Sequence, residues 1–413
     1  MMQHMTTDIA ILGAGVVGLA IAEALIAEGR DVVLVDPDTP GMGASYGNAG
    51  TIADYAVMPV GSPDVLKNLP SLLFDKNSPL AIRRAALPSL MPWLARFALQ
   101  SLPGPTRRNA ANIARLLTGA AGHWQGLADR IGATEILQNR GCLYIYESER
   151  AYRAAHADMA FRRTQGITVD LIGPSELKQM EPTLPEVQGG AAFFPKAVFL
   201  NDPGRMVRTL AAHVGQSAQI LRARAERIER QADGILVTGP GLHLKARRVI
   251  IAAGAHSRAL AAQAGDKVPL DTERGYHVEW DMPGKRLTRP ACPTTRGFYL
   301  CPMDGRLRVA GTVELGGLTA PPSPHRIAKL VEGARAIFPD LPEPSRDWMG
   351  FRPSLPDSVP VIGPSRGGAD ILHAYGHGHI GLTLAPITAR LITALVTGRA
   401  PEMDLTPYLP HRF

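Results

Sequence analysis

Arg352 stands in a proline-rich stretch that could bind a carboxylate, Trp348-Met-Gly-Phe-Arg-Pro-Ser-Leu-Pro-Asp-Ser-Val-Pro-Val-Ile-Gly363. A guanidinium donates two parallel, charge-assisted hydrogen bonds to a carboxylate, and these fix the carboxylate in one orientation. The alternative interpretation is a surface arginine that forms a salt bridge. Asp357 lies in the same stretch and is expected to organise the turn and not to take part in chemistry.

The loop Gly376-His-Gly-His-Ile-Gly381 offers two imidazoles, His377 and His379. The His-x-His spacing suggests a metal site, but a third ligand does not stand at suitable spacing, so we predict no metal. Tyr299 and Tyr276 lie on predicted strands, where each could line a cavity or pack in a core. No obvious pair of acid and base side chains occurs in the sequence.

The N-terminal residues predict the element that positions such groups. Residues 9–12 form an apolar run typical of a buried strand, and an Ala- and Leu-rich helical pattern extends to about residue 28. Between them, G-x-G-x-x-G allows a tight turn, close approach of the backbone to a pyrophosphate, and close packing of helix on strand. A second apolar strand, residues 32–35, is followed by an aspartate that can accept hydrogen bonds from a ribose. The pattern predicts a dinucleotide site at Gly13, Gly15, Gly18 and Asp36.

The composition excludes several classes of protein. The 413 residues suffice for two or three domains. The net charge is +7, but the basic residues are scattered and aromatic residues are few, so we predict no nucleic-acid partner. Three separated cysteines without metal spacing indicate reduced thiols in a cytoplasmic protein. Glu23 and Glu28 interrupt the apolar N-terminal pattern, which therefore indicates neither a signal peptide nor a membrane span.

Three further segments resemble motifs of the FAD-dependent amine and amino-acid oxidoreductases, the superfamily of D-amino-acid oxidase, glycine oxidase and sarcosine oxidase. Residues 45–50 resemble the S-x-x-N-A-G loop of its D-amino-acid dehydrogenase branch. Residues 252–257 resemble its A-x-G-A-x-S strand, and residues 350–363 resemble its G-x-R-P-x-x-P-D-x-x-P-x-I-G signature. The resemblance covers nearly the whole chain.

The resemblance implies an α/β fold with two domains. A FAD-binding Rossmann-like domain of the glutathione-reductase type takes residues 1–55, 203–264 and 350–413. An α+β substrate domain built on an antiparallel sheet takes residues 56–202 and 265–349. FAD is expected to be non-covalent, because loop 45–50 holds no histidine and Cys301 does not match a pattern for a cysteinyl link. The implied FAD contacts are Gly13, Ala14, Gly15, Val16, Val17, Gly18, Asp36, Ser45, Asn48, Ala49, Gly50, Ala225, Ala253, Gly254, Gly376, His377, Gly378 and Gly381.

The same resemblance implies an activity. In amino-acid oxidases of the superfamily, the arginine of the signature holds the substrate carboxylate, a role that falls here to Arg352. Tyr299 matches in placement a carboxylate-binding tyrosine of glycine oxidase. His379 stands where that enzyme has a second carboxylate-binding arginine, so we expect a weaker, pH-dependent contact. Tyr276 is expected to line the same cavity. The implied reaction is dehydrogenation of a D-amino acid at Cα, with hydride transfer to flavin N5 and hydrolysis of the imino acid to the 2-oxo acid.

Several alternatives remain open. A D-proline or 4-hydroxy-D-proline dehydrogenase and a glycine- or sarcosine-type amine oxidase fit the same motifs, because the motifs do not fix the side-chain pocket. A NAD-dependent dehydrogenase would explain the first fingerprint but does not need residues 252–257, 352–363 and 376–381. A non-catalytic flavin-binding subunit would retain all the motifs and lack the activity.

The expected partners are an amino-acid substrate and an electron acceptor, either a quinone or an electron-transfer protein. Residues 64–103 combine apolar clusters, arginines and several prolines. This segment could dock on the inner face of the cell membrane, or it could form short helices that cover the substrate site. We favour the second interpretation, because prolines are expected to break any long amphipathic face.

Overall fold

The computed structural model describes residues 5–67 and 80–413, so part of the segment 64–103 lies outside the described residues. The described chain is a mixed α/β structure with three sheets. The strands are β1 (Met5–Leu12), β2 (Val32–Asp36), β3 (Thr51–Ile52), β4 (Leu80–Ile82), β5 (Leu137–Gln138), β6 (Cys142–Tyr146), β7 (Asp170–Ile172), β8 (Gly190–Phe194), β9 (Val198–Leu200), β10 (Gln219–Arg222), β11 (Arg227–Gln231), β12 (Gly234–Gly239), β13 (Leu242–Ile251), β14 (Asp271–Asp281), β15 (Ala291–Pro293), β16 (Phe298–Met303), β17 (Arg306–Leu315), β18 (Arg346–Ser354), β19 (Val361–Ser365) and β20 (Gly368–Tyr375).

Helices cover the sheets and connect their strands. Several begin with proline in the first turn, where the missing N–H has no intrahelical partner to lose. The helices are α1 (Val16–Ala27), α2 (Pro63–Lys67), α3 (Leu87–Gln100), α4 (Pro103–Leu117), α5 (Ala120–Ile131), α6 (Glu149–Thr164), α7 (Pro174–Met180), α8 (Pro203–Val214), α9 (Ser257–Ala264), α10 (Pro324–Arg335) and α11 (Gly381–Thr397).

The first sheet has a parallel core in the order β10-β2-β1-β13-β20. Strands β12 and β11 extend it as an antiparallel hairpin on the first half of β13, and β19 pairs antiparallel with β20. Alternate residues of β1 enter two different apolar cores: Ile9 and Ile11 enter one, and Ala10 and Leu12 enter the other. Burial on both faces explains the continuous apolar run at residues 9–12, because a parallel sheet is covered on both sides. The predicted Rossmann-like fold is confirmed.

Helix α11 belongs to the core of this domain. It packs against α1, and the Trp124 side chain of α5 donates a hydrogen bond to the Leu382 carbonyl at 2.9 Å. Within the described part of the chain, the stretch Gly378–Thr397 is the one long and apolar enough to cross a membrane, and 72% of it is buried inside the protein. Packing against neighbouring helices and strands therefore accounts for its apolar composition.

The second sheet has nine strands in the order β18-β14-β17-β16-β15-β6-β8-β7, with β4 paired to β17. Six of its eight pairings are antiparallel, and the pairings β15–β6 and β17–β4 are parallel. The substrate-domain sheet is therefore largely antiparallel, with two parallel exceptions. A third, small antiparallel sheet consists of β3, β9 and β5.

Two features differ from the sequence expectations. Strand β18 spans residue 350, so Phe351 to Ser354 continue the second sheet beyond the boundary that we placed there; the division into domains remains our proposal. Helix α3 continues through Pro92, so the expectation that prolines break the amphipathic face of this segment is wrong. Pro92 has no backbone N–H, so the helix lacks one hydrogen bond to the preceding turn. Burial of Leu90, Trp93 and Phe97 on one face stabilises the helix despite this loss.

Candidate active site

The glycine turn between β1 and α1 has no space for a side chain at two of its glycines. Gly13 has a φ of +114°, and an added Cβ there would overlap the backbone of Ala252. A Cβ at Gly18 would overlap the Gly13 carbonyl. Gly15 has an ordinary φ of −74°, and an added Cβ would meet, among the described residues, only the Ser45 Oγ at 3.5 Å. Gly15 therefore faces open space at the N-terminus of α1, where free N–H groups favour a phosphate.

The side chains of Asp36 and Ser45 hold this turn from two sides. The Ala14 N–H donates to Asp36 Oδ2 at 2.7 Å, and the Val16 N–H donates to the Ser45 Oγ at 3.0 Å. Burial raises the pKa of Asp36, while hydrogen bonds from backbone N–H groups lower it. The Asp36 carboxylate thus has a fixed orientation at the carboxyl end of β2, the position that binds a ribose in dinucleotide folds.

Small residues after β13 pass next to the glycine turn. Ala253 precedes a 3-10 turn, Gly254–His256, in which Gly254 has a φ of +53°. Burial lowers the pKa of His256, and the nearby negative charge of Asp36 partly opposes this effect. The side chains of His256 and Asp36 therefore lie near each other. Ala225 is half-buried in the segment that follows β10, and β10 pairs with β2. The predicted nucleotide residues therefore gather at the carboxyl ends of neighbouring parallel strands.

Loop 43–50 is anchored by a buried arginine of the second sheet. Arg308 is fully buried, and its Nη1 donates to the Asn48 carbonyl at 2.5 Å. Glu279, which is also fully buried, accepts from the Arg308 Nε at 2.7 Å and balances its charge. The Asn48 Oδ1 accepts from the Gly50 N–H at 2.8 Å. This loop is therefore fixed between the two sheets, with its backbone directed by charge-assisted hydrogen bonds.

Loop 376–381 leads from β20 into α11 through two glycines in the left-handed region. Gly376 has a φ of +84° and Gly378 has a φ of +53°. A 3-10 turn, Gly378–Ile380, then precedes the first residue of α11, so the N-terminus of this helix opens beside the loop. His377 is buried, and its Nε2 lies 3.0 Å from the Thr388 Oγ1 of α11. The His377 side chain therefore anchors the loop, and only its backbone is available to a cofactor.

Strand β18 places Arg352 over Gly275 of β14, because an added Cβ at Gly275 would overlap the guanidinium. The Arg352 Nη1 donates to the Thr312 carbonyl at 3.1 Å, its single hydrogen bond within residues 5–67 and 80–413. The side chain is only half-buried, so its other N–H groups are free for a ligand. His277 lies two residues beyond Gly275 on the same face, and its Nδ1 is 3.1 Å from the Gly47 carbonyl. Arg352 thus faces the side of the sheet that meets loop 43–50.

Glu273 is a site residue that the sequence reasoning missed. It pairs with Arg352 across β14 and β18, so the two side chains share one face of the sheet. Burial raises the pKa of Glu273, and the charge of Arg352 is the largest effect that lowers it. Glu273, Ser354 and His379 line one small cavity. The structure therefore brings a carboxylate, an imidazole and the Arg352 guanidinium into one neighbourhood.

Tyr299 lies on the same face as Arg352. It pairs with Ala310 of β17, and Ala310 pairs in turn with His277 of β14. Its hydroxyl donates to the Tyr144 hydroxyl at 3.1 Å, and the ring is half-buried. Burial raises the pKa of Tyr299, so the phenol stays protonated and can donate a hydrogen bond. A role in binding the substrate carboxylate remains a prediction for this residue.

Tyr276 does not lie in the cavity, which corrects our expectation. Successive residues of a strand point to opposite faces, so Tyr276 points away from the face of Gly275 and Arg352. Its ring packs in the core of the second sheet, and its hydroxyl donates to the Glu314 Oε2 at 2.5 Å. Arg274 also donates to Glu314 at 3.1 Å. Tyr276 therefore belongs to a buried ion-pair cluster on the far side of the sheet.

Comparisons with known proteins identify the family. The sequence matches the family described as FAD dependent oxidoreductase over residues 8–395.

The chain belongs to this family.

It is 34% identical to a D-amino-acid oxidase of Bradyrhizobium diazoefficiens, over 98% of both chains. It is 28% identical to D-amino acid dehydrogenase 2 of Ralstonia nicotianae, over 97% of this chain and 99% of the relative. Glycine oxidase from Geobacillus kaustophilus has a similar structure, with a TM-score of 0.78 at 24% identity over 99% of both chains. This last likeness supports the fold.

The features of the glycine turn fit the cofactor of this FAD-dependent oxidoreductase. Gly15 leaves space at the N-terminus of α1, and Asp36 presents a carboxylate at the adjoining strand end. Loop 376–381 offers a second helix N-terminus. Two positive helix ends suit the anionic groups of a dinucleotide. Within the described residues, no group of three or more His, Cys, Asp or Glu side chains is arranged to hold a metal.

The environment of His379 changes our expectation for this FAD-dependent oxidoreductase. The side chain is open to solvent, yet surrounding protein and the charge of Arg352 lower its pKa to about 4. An imidazole with that pKa is neutral at physiological pH. A neutral His379 can donate or accept a hydrogen bond, and its contact with a substrate remains a prediction. The lowered pKa disagrees with the expected change of its charge near pH 7.

Two buried histidines are expected to make the protein less stable in acid. Burial lowers the pKa of both His277 and His377 to about 3. In the unfolded chain they take up protons below about pH 6.5, whereas in the folded chain they stay neutral until about pH 3. Stability is therefore lost as the pH falls from 6.5 towards 3, by roughly 2–3 kcal/mol for each histidine at pH 4.5.

Urea unfolding at pH 7 and pH 4.5 measures this loss. His377→Gln is expected to lose about 2–3 kcal/mol less than the parent protein between the two pH values. His411→Gln replaces an exposed histidine and is expected to behave like the parent. An equal loss in the parent and in His377→Gln would contradict the assignment.

Proposed function

We propose that this protein oxidises a D-amino acid at Cα, giving the imino acid that water hydrolyses to the 2-oxo acid. The observation that carries the proposal is the half-buried Arg352, which has one hydrogen bond to Thr312 among the described residues and free N–H groups on the face towards loop 43–50. Such a guanidinium binds a carboxylate through two parallel, charge-assisted hydrogen bonds. The curated relatives named D-amino-acid oxidase and D-amino acid dehydrogenase support the substrate class.

FAD, when bound, accepts a hydride from the substrate Cα. The residues that would hold it are the glycine turn, Asp36, loop 43–50 and loop 376–381. We expect the cofactor to be non-covalent, because neither loop 43–50 nor the Cys301 segment suggests a covalent link.

The chain itself supplies orientation and charge balance. Arg352 fixes the carboxylate end of the substrate, while Tyr299 and the neutral His379 offer hydrogen bonds beside it. Glu273 compensates part of the Arg352 charge before the substrate arrives, which limits the cost of keeping a guanidinium half-buried. A strong protein base is not required when the amine binds in its neutral form, so positioning accounts for the catalysis by the protein.

An anaerobic titration of the yellow enzyme tests the proposal. Reduction by D-alanine or D-methionine and not by the L-isomers is the expected result. Reduction by D-proline or 4-hydroxy-D-proline alone, or by glycine and sarcosine alone, favours the corresponding alternative. Bound FAD that no amino acid reduces would indicate a non-catalytic flavin subunit, and a colourless protein that binds NAD would contradict the whole proposal.

We propose further that electrons pass to a quinone or an electron-transfer protein. The relatives include both an oxidase and dehydrogenases, so the acceptor is not fixed by them. Dye reduction compared with oxygen consumption, measured on the same D-amino acid, distinguishes the two. Fast dye reduction with little oxygen consumption is the expected outcome.

Helix α3 supports peripheral contact with the inner face of an anionic membrane. Leu87, Met91 and Leu99 lie along one exposed face of the helix and are 39%, 54% and 62% exposed, and the flanking Leu102 is 46% exposed. Residues 80–128 contain six arginines and no aspartate or glutamate. Apolar side chains that insert at the headgroup level and cations around them are the two requirements of a peripheral membrane site.

We predict that the protein sediments with vesicles containing phosphatidylglycerol and not with vesicles of phosphatidylcholine alone. Added salt should weaken the binding, because the arginines act through screened electrostatic attraction. Met91→Asp and Leu99→Asp should each reduce the bound fraction severalfold. Met42→Asp, at an exposed methionine between β2 and β3, is the matched control and should bind like the parent. If Met91→Asp and Leu99→Asp bind the vesicles like the parent, α3 is not the part of the protein that contacts the membrane.

A further inference from the structure

Thr312 occupies a backbone conformation that threonine rarely adopts. Its φ is +57°, and among the described residues only one other non-glycine residue, Ser358, has a positive φ. A β-branched side chain is strained in this region, whereas glycine adopts it freely. Strained residues of this kind persist where surrounding structure holds them and cluster at functional sites.

The strain belongs to a bulge that redirects strand β17. On one side of Thr312, Ala310 pairs with His277 and faces the side of Arg352. On the other side, Glu314 pairs with Arg274 and faces the far side of the sheet. The register shifts between these two pairs, as expected where one strand carries an extra residue. The bulge also directs the Thr312 carbonyl to the Arg352 Nη1, at 3.1 Å.

The role of the carbonyl does not explain the side chain, since glycine would present the same carbonyl without strain. The Thr312 side chain carries a hydroxyl that is buried and has no hydrogen-bond partner within the described residues. Thr312 as a whole is 6% exposed. The hydroxyl of Ser358, the other strained residue, accepts from the Val60 N–H at 3.0 Å. A buried hydroxyl without a partner is unfavourable, and such groups call for an explanation by a missing ligand or water.

We propose that Thr312 is a substrate-binding residue whose hydroxyl donates a hydrogen bond to the carboxylate held by Arg352. This proposal rests on the proposed function. A carboxylate has about four lone-pair positions, and a guanidinium occupies two of them. The Arg352 Nη1 donates to the Thr312 carbonyl at 3.1 Å, so Thr312 borders the guanidinium that would hold the carboxylate. The site would then accept α-amino acids and also simple carboxylic acids that lack an amine.

Binding of propionate to the FAD-loaded enzyme tests this contact without turnover, through the change in the flavin absorption spectrum. Thr312→Val keeps the shape and the strain of the residue and removes only the hydroxyl. It should weaken propionate binding about tenfold and raise the KM for the D-amino acid by a similar factor. Thr312→Ser keeps the hydroxyl and should bind within about threefold of the parent.

Thr312→Gly and Arg352→Ala complete the experiment. Thr312→Gly relieves the strain and removes the hydroxyl, so it should melt at a higher temperature and still bind propionate about tenfold more weakly. If Thr312→Val or Thr312→Gly binds propionate as tightly as the parent while Arg352→Ala loses binding, Thr312 does not bind the carboxylate. The proposed function would not be affected by that result. Parental affinity in Arg352→Ala would instead remove the site of the proposed function.

Discussion

Replacement of Arg352 by alanine is expected to raise the KM for the D-amino acid about 100- to 1000-fold and to leave FAD bound. A change of this size is about 3–4 kcal/mol, which lies within the roughly 2–5 kcal/mol that loss of one partner from a hydrogen-bonded charge pair costs. Arg352 lies on β18 and makes its hydrogen bond to Thr312 of the same sheet, so the substitution leaves the hydrogen bonds of the glycine turn in place. Steady-state kinetics and the FAD content of the purified variant measure both parts of the prediction.

Three variants separate binding from indirect effects. Arg352→Lys keeps the charge and loses the planar fork, so its KM should lie between those of the parent and Arg352→Ala. Arg390→Ala removes an exposed arginine that pairs with Glu402 and should have no kinetic effect. Arg352→Ala leaves the carboxylate of Glu273 without its neighbouring cation. The double variant Arg352→Ala with Glu273→Gln also removes this negative charge. The double variant should recover little of the lost affinity, and full recovery would show that repulsion by Glu273 caused the loss.

Replacement of Gly15 by valine is expected to give a folded protein without FAD. An added Cβ at Gly15 meets, within the described chain, only the Ser45 Oγ at 3.5 Å, and the φ of −74° suits any residue. The fold therefore tolerates the substitution, while the side chain fills the space in which a phosphate would approach α1. Flavin absorption of the purified protein and its circular dichroism measure the two outcomes.

Other glycines provide the controls for this variant. Gly122→Val lies in α5, where an added Cβ meets nothing within 4 Å, and it should retain FAD. In Gly18→Ala, the added Cβ would overlap the Gly13 carbonyl. This variant should therefore have a lower melting temperature as well as a lower FAD content. A fully flavin-loaded Gly15→Val protein would contradict the assignment of the phosphate site.

The sequence was most informative where the structural signal is local. Strand β1, the three glycines and α1 follow one another without interruption, so the residue types specify the turn directly. The stretch around Arg352 was recognised in the same way. The face of Tyr276 could also have been predicted, because Tyr276, Val278 and Trp280 alternate with polar or small residues and together form an apolar face.

The remaining features depend on pairing between distant segments. Glu273 looks like an ordinary strand residue until the register shows that it lies opposite Arg352. The positive φ of Thr312 results from the bulge between β14 and β17 and has no sequence signal, since glycine is the residue expected there. The continuation of α3 through Pro92 depends on burial of its inner face, which outweighs the lost hydrogen bond.

The packing of α1 against α11 has a consequence for biosynthesis. The two helices are separated by more than 350 residues of sequence, and the ribosome makes α1 first. While the rest of the chain is being translated, the apolar surface of α1 that α11 later covers stays accessible to chaperones and to other nascent chains. The nucleotide site is therefore complete only after α11 has been translated, and we expect FAD to bind after that point.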